Sequence, residues 1–164
     1  MDFTFKQHLD GIPSAVLDVL LDPAFVAARR ALVNLGDAEL LESSRDGGRA
    51  HQRMRLRFTG DLAPAVTAVI DRDRLTWVDD AVYDLVAGTA EHEVLPDHYA
   101  DRLSCSYRES IAADKEGSRR ILTGRVRVRM MLVGGKVEGA IVSGLREHAV
   151  AEATLINEWL ARDR

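Results

Sequence analysis

The clearest hydrophobic pattern in the chain lies near its end. Over residues 121–130, Leu122, Val126, Val128 and Met130 fall on one parity, and Thr123, Arg125, Arg127 and Arg129 on the other. A period of two predicts a strand with one buried face and one wet, cationic face. Gly134-Gly135 interrupts it, and the period then becomes helical. Val137, Ile141, Leu145, His148, Leu155 and Trp159 share a broad stripe, with small Ala140, Gly144 and Ala151 between them. A helix over 136–162 would run roughly 40 Å and cannot bury its stripe alone. It needs a wide sheet to lie against.

The rest of the chain supplies that sheet. Residues 2–9 alternate, with Phe3, Phe5 and Leu9 on one parity, and read as a first strand. Pro13 suits an early helical position before Val16, Leu17, Leu20 and Leu21. Asp22-Pro23 reads as a cap followed by Pro, opening a second short helix that runs to about Leu35, with Gly36 as its stop. Strands over 38–44 and 49–58 flank Asp46-Gly47-Gly48, a hairpin signal. On the second of these, Ala50, Gln52, Met54, Leu56 and Phe58 face one way, and Arg49, His51, Arg53, Arg55 and Arg57 the other. That Arg row reads as a solvated face, with an anion or partner surface as the alternative. Residues 63–70 form a short helical lid or a loop. Further strands follow over 75–83, 89–95 and 103–113, and Lys115-Glu116-Gly117 turns into the last one.

Composition narrows the function. The chain has 164 residues, 46% of them hydrophobic and 29% charged, which is an ordinary globular composition with length for one domain, 1–164. A net charge of −4, well mixed, argues against a nucleic-acid partner. Cys105 is the single cysteine, so no internal disulfide forms, and a cytoplasmic location is the simplest expectation. The opening residues lack a signal pattern. No apolar run approaches the length of a membrane span, so no stable membrane insertion is expected.

This order of elements resembles the START-like superfamily, also called the helix-grip or polyketide-cyclase-like fold, and within it a bacterial branch of unknown function. The residues carrying the likeness are Met1-Asp2-Phe3, Ala15-Val16, Leu21-Asp22-Pro23-Ala24-Phe25, 126–132, Val133-Gly134-Gly135-Lys136-Val137-Glu138, and Glu152 with Asn157-Glu158-Trp159-Leu160. Asp79-Asp80-Ala81-Val82-Tyr83 departs from the glycine-rich turn that the branch carries after its central tryptophan, leaving the register between Trp77 and Pro96 open. The resemblance implies an α+β helix-grip fold: a curved seven-stranded antiparallel sheet wrapped around the long C-terminal helix, with two short helices after the first strand. It also implies a deep, mostly apolar cavity for a lipid-, sterol- or polyketide-like molecule.

The positions expected to line such a cavity are Met54, Leu56, Phe58, Trp77, His92, Tyr107, Val126, Val128, Met130, Val137, Ile141, Leu145 and His148. Cys105 reads as a small apolar filler. His92, Tyr107, His148 and Glu152 form the pool for any acid–base chemistry. Scattered histidines and a lone cysteine give no metal spacing, no catalytic set stands out, and no cofactor is implied. Gly134-Gly135-Lys136 lacks the fuller spacing of a phosphate loop and reads as a sharp strand-to-helix turn. The leading expectation is a carrier of a small hydrophobic molecule. The alternatives are a cyclase or dehydratase on the same fold, or a homo-oligomeric partner-binding module, and a homodimer is compatible with all of them.

Overall fold

A computed structural model describes residues 1–162; Asp163 and Arg164, at the end of the expected domain span 1–164, lie outside the described residues. The elements are strand β1 (Asp2–Leu9), helices α1 (Pro13–Leu21) and α2 (Pro23–Ala28), strands β2 (Leu35–Asp46) and β3 (Arg49–Phe58), helix α3 (Pro64–Thr67), strands β4 (Thr76–Asp84), β5 (Thr89–Pro96), β6 (Leu103–Asp114) and β7 (Gly117–Val128), and helix α4 (Gly134–Arg162). The strands form one seven-stranded sheet in the order β1-β7-β6-β5-β4-β3-β2. Every neighbouring pair is antiparallel. This is the expected α+β helix-grip.

The alternation in each strand does what a pleated surface requires. On β3, Ala50, Gln52, Met54 and Leu56 are buried, while Arg53, Arg55 and Arg57 face out. That Arg row is paired across strands: Arg53 with Asp80 (3.2 Å), Arg55 with Asp97 (3.2 Å) and Arg57 with Asp37 (3.1 Å). Such exposed pairs contribute little to stability. The register left open by the sequence is regular, with Trp77 opposite Pro96, Asp79 opposite Val94 and Ala81 opposite His92.

α4 is 29 residues long, roughly 44 Å. Its buried positions include Val137, Val142, His148, Ala149, Glu152, Ile156 and Leu160. Its far end packs with α1 and Phe25 of α2, and its near end with Phe3, Phe5 and Leu122. A 3.6-residue period carries the stripe to Ile156 and Leu160, so the expected Leu155 and Trp159 flank it, half-buried.

The expectation of a second helix reaching Leu35 is corrected. α2 ends at Ala28 and a 3₁₀ turn covers Arg29–Ala31. Leu35 opens β2 instead, paired with Phe58 and buried in a small cluster with Ala38 and Leu56. Cross-strand burial of Leu35 outweighs helix propensity, and Asn34 takes the left-handed turn before it, with φ 66°.

Candidate functional site

Between the concave face of the sheet and α4 lies a cavity of about 150 Å³ that opens toward one end of the molecule. Phe3 and Phe5 of β1, Leu56 and Phe58 of β3, Trp77 of β4, and Val128 of β7 line its walls. Val137, Ile141 and Leu145 close it from α4, and Val66 of α3 lies over it with Ile70 just after that helix. Gly144 also faces it, and a Cβ there would stand 3.2 Å from the Phe58 ring. The small residue lets helix and ring approach closely.

Of the positions singled out in the sequence, Leu56, Phe58, Trp77, Tyr107, Val128, Met130, Val137, Ile141, Leu145 and His148 line the cavity. Three do not. Met54 sits behind the wall with its sulfur 3.3 Å from Arg29 Nη1, Val126 is fully buried in the core under β1, and His92 stacks behind Tyr107 with ring centroids 4.2 Å apart.

The inner end of the cavity is polar, and most of its charge went unrecognised in the sequence. The Tyr107 hydroxyl donates to Asp79 Oδ2 at 3.0 Å. Asp79 Oδ1 lies 3.1 Å from His92 Nδ1, and His92 Nε2 lies 3.5 Å from Glu109 Oε2. Arg120 Nε donates to Glu109 Oε1 at 2.7 Å, and Arg120 Nη1 donates to Glu152 Oε2 at 2.7 Å. Arg29 Nη2 stands 2.6 Å from Glu152 Oε1, close but not aligned for a hydrogen bond. Asp79, Glu109 and Glu152 thus face Arg29, Arg120 and a protonated His92, so the formal charges cancel.

Asp79, Glu109 and Arg120 each sit on the inward parity of their strands, and that was the available signal. A charged residue on an otherwise apolar parity is buried, and a buried charge demands a partner. Arg29 gave no such signal, because its place follows from the helix ending early.

The surroundings set each protonation state. Burial would raise the Glu109 carboxyl, but Arg120 and His92 outweigh it and hold it at about 2. Burial would likewise raise Glu152, but Arg29 and Arg120 keep it below the usual carboxylate range. Burial would lower the His92 ring, yet Asp79 and Glu109 raise it to about 9. His148 goes the other way: burial lowers it to about 4 against the pull of Glu152, so its ring is neutral near pH 7. Burial, aided by Asp79, pushes the Cys105 thiol up to about 12, leaving it an inert part of the wall.

His148 has no hydrogen bond of good geometry at either ring nitrogen: the Val33 backbone lies beside the ring, and Glu152 Oε1 is 4.0 Å from Nε2. The Arg29 Nε–H is also without a partner. Buried polar groups ordinarily find partners. A neutral imidazole offers one donor and one acceptor. At its inner end this otherwise apolar cavity therefore holds hydrogen-bonding capacity that the protein satisfies poorly. Among the described residues, no group of three or more His, Cys, Asp or Glu side chains is arranged to hold a metal ion, and no helix is long and apolar enough to cross a membrane.

A curved sheet gripping a long helix around a cavity defines the START-like class. Solved structures share it across nearly the whole chain. The Thermus thermophilus protein TTHA0849 aligns with TM-score 0.66 at 14% identity, covering 96% of this chain and 95% of that one. The Zhui aromatase/cyclase from Streptomyces sp. R1128 aligns with TM-score 0.65 at 17% identity, covering 99% and 93%. Norcoclaurine synthase from Thalictrum flavum, in complex with dopamine and hydroxybenzaldehyde, aligns with TM-score 0.67 at 11% identity, covering 100% and 88%. At these identities the likeness is one of fold. Within that class, the chain belongs to the family described as protein of unknown function (DUF2505), whose profile matches residues 4–160. No curated protein matches the chain.

Proposed function

We propose that the protein binds a small, neutral, largely apolar molecule with one hydroxyl or carbonyl group. The apolar body lies between Trp77, Phe58 and α4, and the polar group meets His148 at the inner end. The observation that carries this reading is the buried His148 ring, which faces the cavity with no well-formed hydrogen bond at either nitrogen and only the Val33 backbone and Glu152 beside it. A dry apolar cavity of about 150 Å³ holds a single ring such as benzene. The ligand body is therefore ring-sized, and any longer lipid- or polyketide-like portion extends through the mouth. The dopamine and hydroxybenzaldehyde of the norcoclaurine synthase complex are ligands of that size on the same fold. Neutrality follows from the charge count, because the inner network is already balanced and a further buried anion would lack a counterion.

A second reading, acid–base chemistry of the cyclase or dehydratase kind, is favoured by the Tyr107–Asp79–His92 chain reaching the cavity wall. The neutral His148 ring facing the same space would be the base.

One set of NMR titrations separates these outcomes. With p-cresol, cyclohexanone and benzoate as probes, the His148 ring signals should shift saturably with the neutral probes and at least tenfold more weakly with benzoate. Leu145→Trp, which fills the cavity, should abolish the shift. In deuterated buffer, exchange of the cyclohexanone α-hydrogens that is lost in His148→Gln would favour the enzyme. Absence of saturable binding by any probe would refute both readings.

A further inference from the structure

The turn between β7 and α4 breaks three local rules at once. Met131 and Leu132 are 90% and 97% exposed, the most exposed large hydrophobics in the described structure. Leu132 also holds φ 69°, a left-handed conformation that glycine or asparagine adopts at less cost. The cation Lys136 sits in the first turn of α4, where the helix dipole favours an anion. Neither packing nor backbone preference explains an apolar pair at this apex. The turn is held by the Val133 amide donating to the Met131 carbonyl and the Gly134 amide donating to the Met130 carbonyl.

The surroundings are cationic. Among the described residues, Arg127, Arg129 and Lys136 form no ion pair within 4 Å, although the chain as a whole carries a net charge of −4. The nearby carboxylate of Glu138 is engaged by the Met1 ammonium at 2.7 Å and by the Val128 amide. The turn also borders the cavity mouth. Met130, just before it, and Val137, just after it, line the cavity, and the Arg129 amide donates to the Arg102 carbonyl on the same rim.

We propose that Met131 and Leu132 insert into the interface of an anionic lipid surface while Arg129 and Lys136 meet its headgroups, seating the cavity mouth on the membrane. Exposed apolar side chains within a basic collar match a headgroup layer over acyl chains. A second copy of the chain fits less well. A two-fold contact centred on the apex would bring two cationic collars together, and two side chains fall far short of the area of a stable protein interface. The inference stands apart from the cavity reading, since it needs no bound ligand.

The test is vesicle co-sedimentation of the full chain. It should pellet with phosphatidylcholine vesicles containing phosphatidylserine, pellet poorly with phosphatidylcholine alone, and detach as salt rises. Leu132→Asn suits the left-handed turn, so the variant should melt no lower than the parent while its vesicle affinity falls roughly tenfold or more. Lys136→Glu should weaken binding to the phosphatidylserine vesicles. Failure of the parent chain to pellet with those vesicles would overturn the proposal. So would equal pelleting by Leu132→Asn, or a change of oligomeric state in that variant, which would make the turn a contact between copies.

Discussion

His92 and His148 start from the same ordinary value, 6.5, and end on opposite sides of it, at about 9 and about 4. The difference lies in what faces them. His92 meets Asp79 from β4 and Glu109 from β6, whereas His148 meets Glu152 together with the cations Arg29 and Arg120. Each makes folding depend on pH with its own sign. Between 6.5 and about 9 the folded His92 holds a proton that the unfolded chain lacks, so its stabilisation, full below 6.5, is lost as pH rises. Between 6.5 and about 4 the unfolded His148 binds a proton that the folded ring refuses, so stability falls as pH drops. Glu109 and Glu152 add to the acid loss only below their ordinary value of 4.5. Stability should therefore peak near pH 6.5 and decline on each side by on the order of 1 kcal/mol per pH unit. Urea unfolding across pH reads this directly: His92→Gln should flatten the alkaline limb, and His148→Gln the limb just below the peak. A parent curve that stays level from pH 7 to 9 would contradict the assignment of His92.

At the level of elements, the strands were legible because the pleat imposes a strict alternation that solvent enforces on one face. The end of α2 was not legible, because Leu35 belongs to β2 through Phe58, a residue 23 positions away that local propensity cannot see. β7 shows a constraint of the same kind. Gly124 lies opposite Phe3 on one side and Tyr107 on the other, and a Cβ there would come within 2.4 Å of the Tyr107 Cβ and 2.5 Å of the Ser106 carbonyl oxygen. Neither atom is the free end of a flexible side chain, so the strands themselves must move. Gly124→Ala should cost about 1–3 kcal/mol and lower the Tm by several degrees. Gly135→Ala, with nothing within 4 Å, should leave the Tm within a degree or two and serves as the control in the same thermal melts. Equal melting of the two variants would mean that β7 has slack the geometry denies.

Across the whole molecule, the apolar half of the site could be anticipated from the sequence and the ionic half could not, for a reason of distance. Inward parity marks Glu109 and Arg120 as buried. What makes burial tolerable is a set of partners 11, 32 and 113 positions apart, brought together only by the completed sheet and helix. Arg120 on β7 joins Glu109 on β6, Glu152 on α4 and Gln7 on β1, so it fastens the helix to the grip. Arg120→Met removes one cation from a balanced set of three carboxylates and three cations, and leaves a buried excess negative charge. A loss of about 3–5 kcal/mol is expected for breaking such a set on one side. Adding Glu109→Gln removes one charge of the opposite sign, and the remainder balances again: Asp79 and Glu152 against Arg29 and His92. The double variant should then be more stable than Arg120→Met alone, with a coupling on the order of 1–3 kcal/mol in a double-mutant cycle of urea unfolding. Strictly additive losses would show that Arg120 acts through packing, and the charge balance that argues for a neutral ligand would lose its support with it.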